Sequence, residues 1–308
     1  MFRGSAWEWS EARQQFYYHA FTKEQPDLNY WNPAIIQEMK DILKFWTDKG
    51  VDGFRMDAVP FLFEDLDFKD EPLSGKTDDP EDYNYLSHVY TWNFPEVKEV
   101  LAEFTEDVHA NTNDEGVVML EALSEDLTTE DMMSFYACSD FPFNFNLIVN
   151  LKPEELSGIQ TLYVLLTIHH FCSLGHSIKA QVSDWLESMP EGKTANWVLG
   201  NHDNWRFLQP SIHDPLKPQF HFRLGSRFGP GNIDGFNMMS LMLPGVAVTY
   251  NGEEIGMTNT NVSWEDTVDP AGLNCGEEHF MVRGIFYQPT VLDFRYRNLS
   301  FFSFRNYI

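Results

Sequence analysis

The sequence predicts an α/β fold in which short parallel strands alternate with helices. Three apolar runs predict buried strands, and each run ends on polar or charged residues: 51–59, 117–122 and 196–203. Segments of helical character separate these runs, which is the pattern of repeated strand–helix units. In a barrel built from such units, the carboxyl ends of the strands face one side and carry the active site. The polar residues at the three strand ends are therefore the first candidates for function.

The elements of the first half follow from local signals. Residues 1–32 have no sustained period and are predicted to be irregular. Apolar side chains recur on one helical face between residues 33 and 49, with Pro33 suited to a first helical position and Gly50 to a stop. Residues 60–92 combine many acids with prolines and glycine, so they predict a long loop with a solvated surface.

The second half continues the alternation of helix and strand. The strand at 117–122 is preceded by a predicted helix at 95–111. Residues 132–146 are predicted to form a strand and loop, and residues 183–189 to be part of a helix. A second helix is predicted at residues 235–243 and a buried strand at residues 244–250.

Composition, net charge and cysteine content limit the classes of protein to which this chain can belong. A chain of 308 residues with 43% hydrophobic residues can bury one large core or form two domains. The formal net charge of −26 argues against nucleic acid as a partner, because phosphates would be repelled. The three cysteines form neither a disulfide framework nor a metal-ligand spacing. No apolar run is long enough to span a bilayer, and no signal peptide is visible.

Three carboxylates stand at the predicted strand ends, namely Asp57, Glu121 and Asp203. Such a set suits cleavage of a glycosidic bond, in which one carboxylate attacks or stabilises the sugar carbon and another protonates the leaving oxygen. The third can bind sugar hydroxyls. Each residue also has a simpler interpretation, as a helix cap, a strand-end ion pair or a turn residue.

Several motifs carry a specific resemblance. In chain order, residues 53–58 (GFRMDA), 121–122 (EA) and 201–203 (NHD) resemble the signature regions of the α-amylase family of glycoside hydrolases. Residues 25–30 (QPDLNY) resemble the signature of its α-glucosidase and oligo-1,6-glucosidase branch. Residues 2–9 and 228–234 are similar to insect maltases, and the resemblance covers most of residues 2–283.

The resemblance implies a domain layout. Residues 1–32 would end the small domain inserted after barrel strand three, residues 33–256 would form strands four to eight, and residues 257–308 an incomplete C-terminal region with an unrelated tail from about 284. The expected fold is thus a partial (β/α)8 TIM barrel lacking the first three strands and the C-terminal β domain. Residues 157–178 and 207–223 interrupt the resemblance, either as loop insertions or as translated intron sequence.

The resemblance also implies catalytic roles. Asp57 would be the nucleophile that forms a covalent glycosyl-enzyme intermediate, so that configuration is retained. Glu121 would act first as acid and then as base, and Asp203 would hold two sugar hydroxyls.

Four further residues would bind or orient the substrate. Arg55 would position Asp57 and keep it ionised, unless it forms only a surface ion pair. His202 would donate to the sugar, and Arg206 matches a substrate-site arginine of the family. Val59 would favour α-1,4 over α-1,6 linkages, or would pack in the core.

The expected activity is that of an α-glucosidase acting on maltose, sucrose and short oligosaccharides. This chain itself is expected to be inactive, because an incomplete barrel leaves strand edges open. The alternative is a non-catalytic relative, such as the ectodomain of an amino-acid-transporter heavy chain or a membrane-held docking protein. The presence of all three carboxylates favours the enzyme.

The expected partners are α-glucoside sugars, and the sequence predicts no oligomeric state. No cofactor or metal is expected; calcium is possible in full-length relatives, but their usual loop has no counterpart here. Asn261 and Asn298 lie in glycosylation acceptor patterns. Because relatives are secreted or membrane-anchored, a signal is expected to precede residue 1 in the natural protein.

Overall fold

The computed structural model describes residues 4–122, 127–150, 173–202, 232–257, 263–268, 273 and 300–301. Within these ranges the chain is an α/β protein, as predicted, with parallel strands followed by helices. Its strands form a four-stranded sheet and two two-stranded sheets. Among the described residues, no helix combines the length and apolarity that a membrane crossing requires.

The chain begins with an antiparallel hairpin of β1 (Trp7–Ser10) and β2 (Gln15–Tyr18). The prediction of irregular structure for residues 1–32 is wrong at this hairpin. Its strands are four residues long and largely exposed on both faces, so they show no alternation of buried and exposed positions. Cross-strand aromatic pairs stabilise it instead, with the rings of Trp9 and Phe16 5.1 Å apart.

The main sheet has the order β5-β4-β3-β8. Its parallel strands are β3 (Gly53–Met56), β4 (Val117–Leu120) and β5 (Phe141–Pro142), while β8 (Ser300–Phe301) pairs antiparallel with β3. Gly53 is required by the close approach of β3 and β4, because a Cβ there would lie 2.4 Å from the Val117 carbonyl oxygen. The first two strand predictions are thus confirmed.

Two helices of similar length precede and follow β3. Helix α1 (Pro33–Thr47) is capped by Asn32, whose side chain accepts a hydrogen bond from the Ala34 N–H. Helix α2 (Pro95–Asn111) packs against α1, and Lys40 joins Glu103 across the two helices at 2.7 Å. Both helices confirm the predictions, and α1 ends two residues earlier than expected, within the usual fraying of a helix end.

The next segment differs from the prediction of a strand and loop at residues 132–146. Helix α3 (Thr129–Ser134) comes first, and the strand β5 is only two residues long. A capping box between Thr128 and Asp131 begins this short helix, although six residues are too few to show a helical period. Helix α4 (Asn146–Val149) follows the strand.

Helix α5 (Ser173–Ser188) contains most of residues 183–189, which were predicted to be part of a helix, and begins ten residues before them. Its first turns fall inside the segment 157–178 that interrupts the family resemblance; residues 151–172 lie outside the described part of the chain, as do residues 207–223. The sheet of β6 (Asn196–Val198) and β7 (Val246–Val248) is parallel, and helix α6 (Ile233–Met242) precedes β7, as predicted.

The main apolar core lies between the sheets and these helices. Its largest fully buried side chains include Trp185, Trp197, Tyr136 and Phe54. Residues 60–92 form the long loop that was predicted, with short 3-10 turns at Val59–Phe61 and Tyr83–Tyr85 and one bridge between Leu73 and Leu86. This loop leaves the carboxyl end of β3, where the candidate site begins.

Candidate active site

Strands β3 and β4 bring Asp57 and Glu121 to neighbouring positions. The register pairs Met56 with Leu120, so the next residue of each strand is a carboxylate. The Glu121 N–H donates to the Met56 carbonyl at 2.9 Å, and the Val59 N–H donates to the Glu121 carbonyl at 3.1 Å. Backbone hydrogen bonds therefore extend the parallel pairing past the strand ends and fix the two acids side by side.

Arg55 links the two acids. Its Nη1 contacts Asp57 Oδ1, and its Nη2 lies 2.8 Å from Glu121 Oε2. The residue is only 9% exposed, and its guanidinium lies 5.9 Å from the centre of the Phe143 ring. A planar guanidinium suits such two-sided contact with carboxylates, and its burial strengthens the attraction. The interpretation of Arg55 as a surface ion pair is therefore wrong.

The two carboxylates differ in their access to solvent. The Asp57 side chain is 46% exposed, whereas the Glu121 side chain is 15% exposed. Asp57 can thus meet a substrate from outside, while Glu121 is shielded on most sides. This difference suits one acid that attacks and another that transfers a proton.

The backbone at Ala58 adds a second contact to the Glu121 carboxylate. Ala58 has φ 47°, in the left-handed region that a residue with a Cβ seldom occupies. This conformation turns its N–H toward Glu121 Oε2, at 3.2 Å. Ala58 is also the N-cap of the turn Val59–Phe61, which has no side-chain cap. Asp57, the residue before this N-cap, contacts Arg55.

The remaining residues that the sequence predicts for the site lie in different parts of the chain. Val59 is 1% exposed and belongs to the main apolar core. His202 lies beyond the carboxyl end of β6 and is exposed. Asp203, Arg206 and the glycosylation candidates Asn261 and Asn298 lie outside the described residues.

Two buried asparagines join the main sheet to β6, and the sequence interpretation missed them. Asn196 Oδ1 accepts from the Asn144 N–H at 2.8 Å, and Asn196 Nδ2 donates to the Pro142 carbonyl at 2.8 Å. Both residues are fully buried. The available signal was an amide at the start of an apolar run, since a buried amide needs partners from a neighbouring strand. This bridge holds the strand that leads to His202 beside the strand that follows Glu121.

Within the described part of the chain, no group of three or more His, Cys, Asp or Glu side chains is arranged to hold a metal ion. Cys138 is buried, and this burial raises the pKa of its thiol to about 11. A thiol of this kind is protonated at neutral pH and packs as a small apolar side chain.

Comparison with known proteins identifies the family that the sequence matches and several similar proteins. The family described as alpha amylase, catalytic domain, matches residues 1–283. Maltase A1 of Drosophila melanogaster is 40% identical over 299 residues, an alignment that covers 92% of this chain and 45% of that protein. The salivary alpha-glucosidase of Anopheles gambiae is 41% identical over 287 residues, covering 89% of this chain and 42% of that protein.

A solved structure resembles the fold as well. The crystal structure of an alpha-glucosyl transfer enzyme superposes with a TM-score of 0.63 and 26% identity, covering 89% of this chain and 46% of that one. In these three comparisons the chain spans less than half the length of the protein it matches.

Proposed function

Because this chain belongs to the α-amylase catalytic-domain family, we propose that it is a glycoside hydrolase of the α-glucosidase type. The proposed substrates carry a terminal α-1,4-linked glucose, as in maltose and short oligosaccharides, or the α-glucosyl unit of sucrose. The names of the similar proteins, maltase and alpha-glucosidase, support this substrate class. The observation that carries the proposal is that the buried Arg55 contacts both Asp57 and Glu121.

The proposed reaction has two displacement steps. In the first, Asp57 attacks the anomeric carbon and forms an ester, while Glu121 gives its proton to the departing glycosidic oxygen. In the second, Glu121 takes a proton from water, and that water attacks the anomeric carbon and releases Asp57. Two inversions leave the configuration unchanged. The exposed position of Asp57 and the shielded position of Glu121 support this division of roles.

Arg55 supports the change in the role of Glu121 between the steps. Before attack, the positive charge of Arg55 is shared by both acids. Once Asp57 is esterified it carries no charge, so Arg55 faces Glu121 alone and favours the ionised form that the second step needs. The N–H of Ala58 acts in the same direction, because it donates to Glu121 Oε2.

The remaining parts of the site belong to the same proposal. Asp203 would bind two hydroxyls of the distorted sugar ring, and His202 and Arg206 would donate to the substrate. Strands β3 to β7 would be part of a (β/α)8 barrel, with residues 33–256 contributing strands four to eight. Secretion is proposed from the salivary relative. The non-catalytic alternative is not favoured, because the similar proteins are named maltase and alpha-glucosidase. The contact of Arg55 with both Asp57 and Glu121 also supports the enzyme.

The test is hydrolysis of a chromogenic α-glucoside. It is made with this chain and with a chimaera in which these residues replace the matching part of Drosophila maltase A1. We expect Asp57→Asn to lower kcat on the order of 10⁴-fold, in the range seen for loss of a central catalytic group. We expect Glu121→Gln to lower it by about 10²- to 10⁴-fold, the range of general acid–base catalysis.

The matched control is Asp52→Asn, which changes an acid at the other end of the same strand. It is expected to leave kcat unchanged. Hydrolysis by the chimaera that survives Asp57→Asn would contradict the proposal.

A further inference from the structure

A cavity lies between the β1–β2 hairpin and the loop of residues 60–92. It encloses about 270 Å³. Trp7 and Tyr18 line it from the hairpin, and Glu64, Phe68 and Glu71 line it from the loop. Asp57 and Glu121 are not part of its lining. Its volume is near the lower end of the range for ligand pockets, which suits a single small ring.

Hydrogen bonds within the loop fix the wall of this cavity. The Asp65 N–H donates to the Tyr90 carbonyl at 2.7 Å. The Tyr90 N–H and the Thr91 hydroxyl both donate to Glu71 Oε1, each at 2.9 Å. One carboxylate oxygen therefore holds two consecutive residues of the opposite side of the loop, and the wall is formed before any ligand binds.

Aromatic rings provide the apolar part of the cavity. The Trp7 ring packs edge-on against Tyr18, at 5.5 Å, and against Phe68, at 5.6 Å. Trp7 is nevertheless 42% exposed and Phe68 is 71% exposed. The indole is thus held in position by its neighbours while part of its surface stays available. Such a ring can contact the C–H groups of a ligand through its face.

The acids provide hydrogen-bond acceptors. Glu71 Oε2 is buried and has no hydrogen-bond partner among the described residues. A buried acceptor without a partner costs folding free energy, and a ligand hydroxyl can supply the missing bond. Glu64 adds a second carboxyl group, and burial together with the charge of Asp27 raises its pKa to about 7.

The chemistry of the lining selects the class of ligand. An anion would be repelled by Glu64, Asp65, Asp70 and Glu71, which outnumber the single Lys69. A metal ion lacks a suitable ligand set, because the described residues hold no group of three metal-binding side chains. A purely apolar ligand would leave Glu71 Oε2 without a bond. A neutral ring that carries several hydroxyls satisfies both the aromatic and the acidic side chains.

We propose that this cavity, defined by Trp7, Tyr18, Glu64, Phe68 and Glu71, is an accessory sugar-binding pocket that holds one ring of an oligosaccharide apart from the Arg55 site. Binding there requires no bond cleavage. Only the choice of α-glucosides as the sugars rests on the proposed function.

The test uses fluorine NMR of the full chain labelled with fluorotryptophan. Asp57→Asn is included so that hydrolysis does not consume the probe, which is maltotriose. The signals of Trp7 and Trp9 are assigned by their loss in Trp7→Phe and Trp9→Phe. Trp9 is the matched control, because it lies on the same strand, is 38% exposed and is not part of the lining.

We expect maltotriose to shift the Trp7 signal in a saturable way and to leave the Trp9 signal in place. Glu71→Gln keeps an oxygen for Tyr90 and Thr91 but removes the second acceptor, so it should weaken this binding by about tenfold, the value of one lost hydrogen bond. No shift of Trp7 up to the solubility limit of the sugar, or an unchanged affinity in Glu71→Gln, would overturn the proposal. Saturable binding together with an absence of α-glucoside hydrolysis by the chimaera would count against the proposed function alone.

Discussion

Asp27 and Glu64 are partly buried carboxyl groups that lie close enough to influence each other. Burial raises the pKa of Asp27 from 3.8 to about 6, although the Ala20 N–H donates to its Oδ2 at 2.7 Å. Burial, followed by the charge of Asp27, raises the pKa of Glu64 from 4.5 to about 7. Folding therefore shifts both groups toward the protonated form.

These shifts predict a loss of stability with rising pH. An acid whose pKa is raised on folding stabilises the folded chain fully below its unfolded pKa, and this contribution is lost as the pH rises through the folded value. For Glu64 the loss falls between pH 4.5 and about pH 7. As the pH rises through this window, we expect the unfolding free energy of the parent to fall by about 2 kcal/mol relative to that of Glu64→Gln.

Urea unfolding of both proteins at pH 5 and pH 8 measures this difference. Glu81→Gln is the control, since Glu81 is an exposed acid of the same loop. A difference that stays constant, or that moves in favour of the parent at pH 8, would show that Glu64 does not titrate in this way.

At the same scale, the two acids and the pairing of Arg55 with Asp57 could be predicted, but the second contact of Arg55, with Glu121, could not. Asp57 and Glu121 could be predicted because a charge at the end of an apolar run is rare and conspicuous. The sequence did not predict the burial of Arg55 or the left-handed backbone of Ala58, since both depend on the pairing of β3 with β4. Glu71 was treated as part of a solvated loop, because nothing in its local sequence shows that Tyr90 and Thr91 fold back onto it.

At the scale of elements, the buried amide bridge between β5 and β6 decides how two sheets meet. Asn196 supplies both an acceptor and a donor to the segment around Asn144. Replacing it by alanine leaves the Asn144 N–H and the Pro142 carbonyl buried without partners. We expect Asn196→Ala to lower the unfolding free energy by about 3 kcal/mol, since each orphaned group costs roughly 1 to 3 kcal/mol.

Chemical denaturation provides the measurement, and Asn150→Ala is the matched control. The Asn150 side chain is exposed and bonds only to Gln181 in the described structure, so its loss should cost about 0.5 kcal/mol or less. Equal effects of the two substitutions would mean that the bridge does not hold the sheets together.

The elements differ in how well the sequence predicts them, and length explains most of the difference. Helices α1 and α2 repeat their apolar pattern over four turns or more, so their limits were predicted within two residues. The hairpin and α3 have elements of four and six residues, too short for a period to show. They are stabilised by cross-strand rings and by a capping box, which act between particular pairs of residues.

At the scale of the whole molecule, the strand order, the contacts of Arg55 and the family match all point to the same site. Parallel strands end on acids, a buried arginine contacts both acids, and the family match spans residues 1–283. The α/β class followed from the alternation of apolar runs and helical segments. The pairing of β8 with β3 could not be predicted from the sequence, because no local pattern links residues so far apart along the chain.

The central claim is that Asp57, held by Arg55, attacks the sugar. The most direct measurement treats the chimaera with a fluorinated α-glucosyl fluoride, whose glycosyl ester is hydrolysed slowly, and locates the label by mass spectrometry of peptides. We expect one fluorinated glucosyl group on the peptide containing Asp57, and none after Asp57→Asn. A label on another residue, or continued hydrolysis without a label on Asp57, would contradict it.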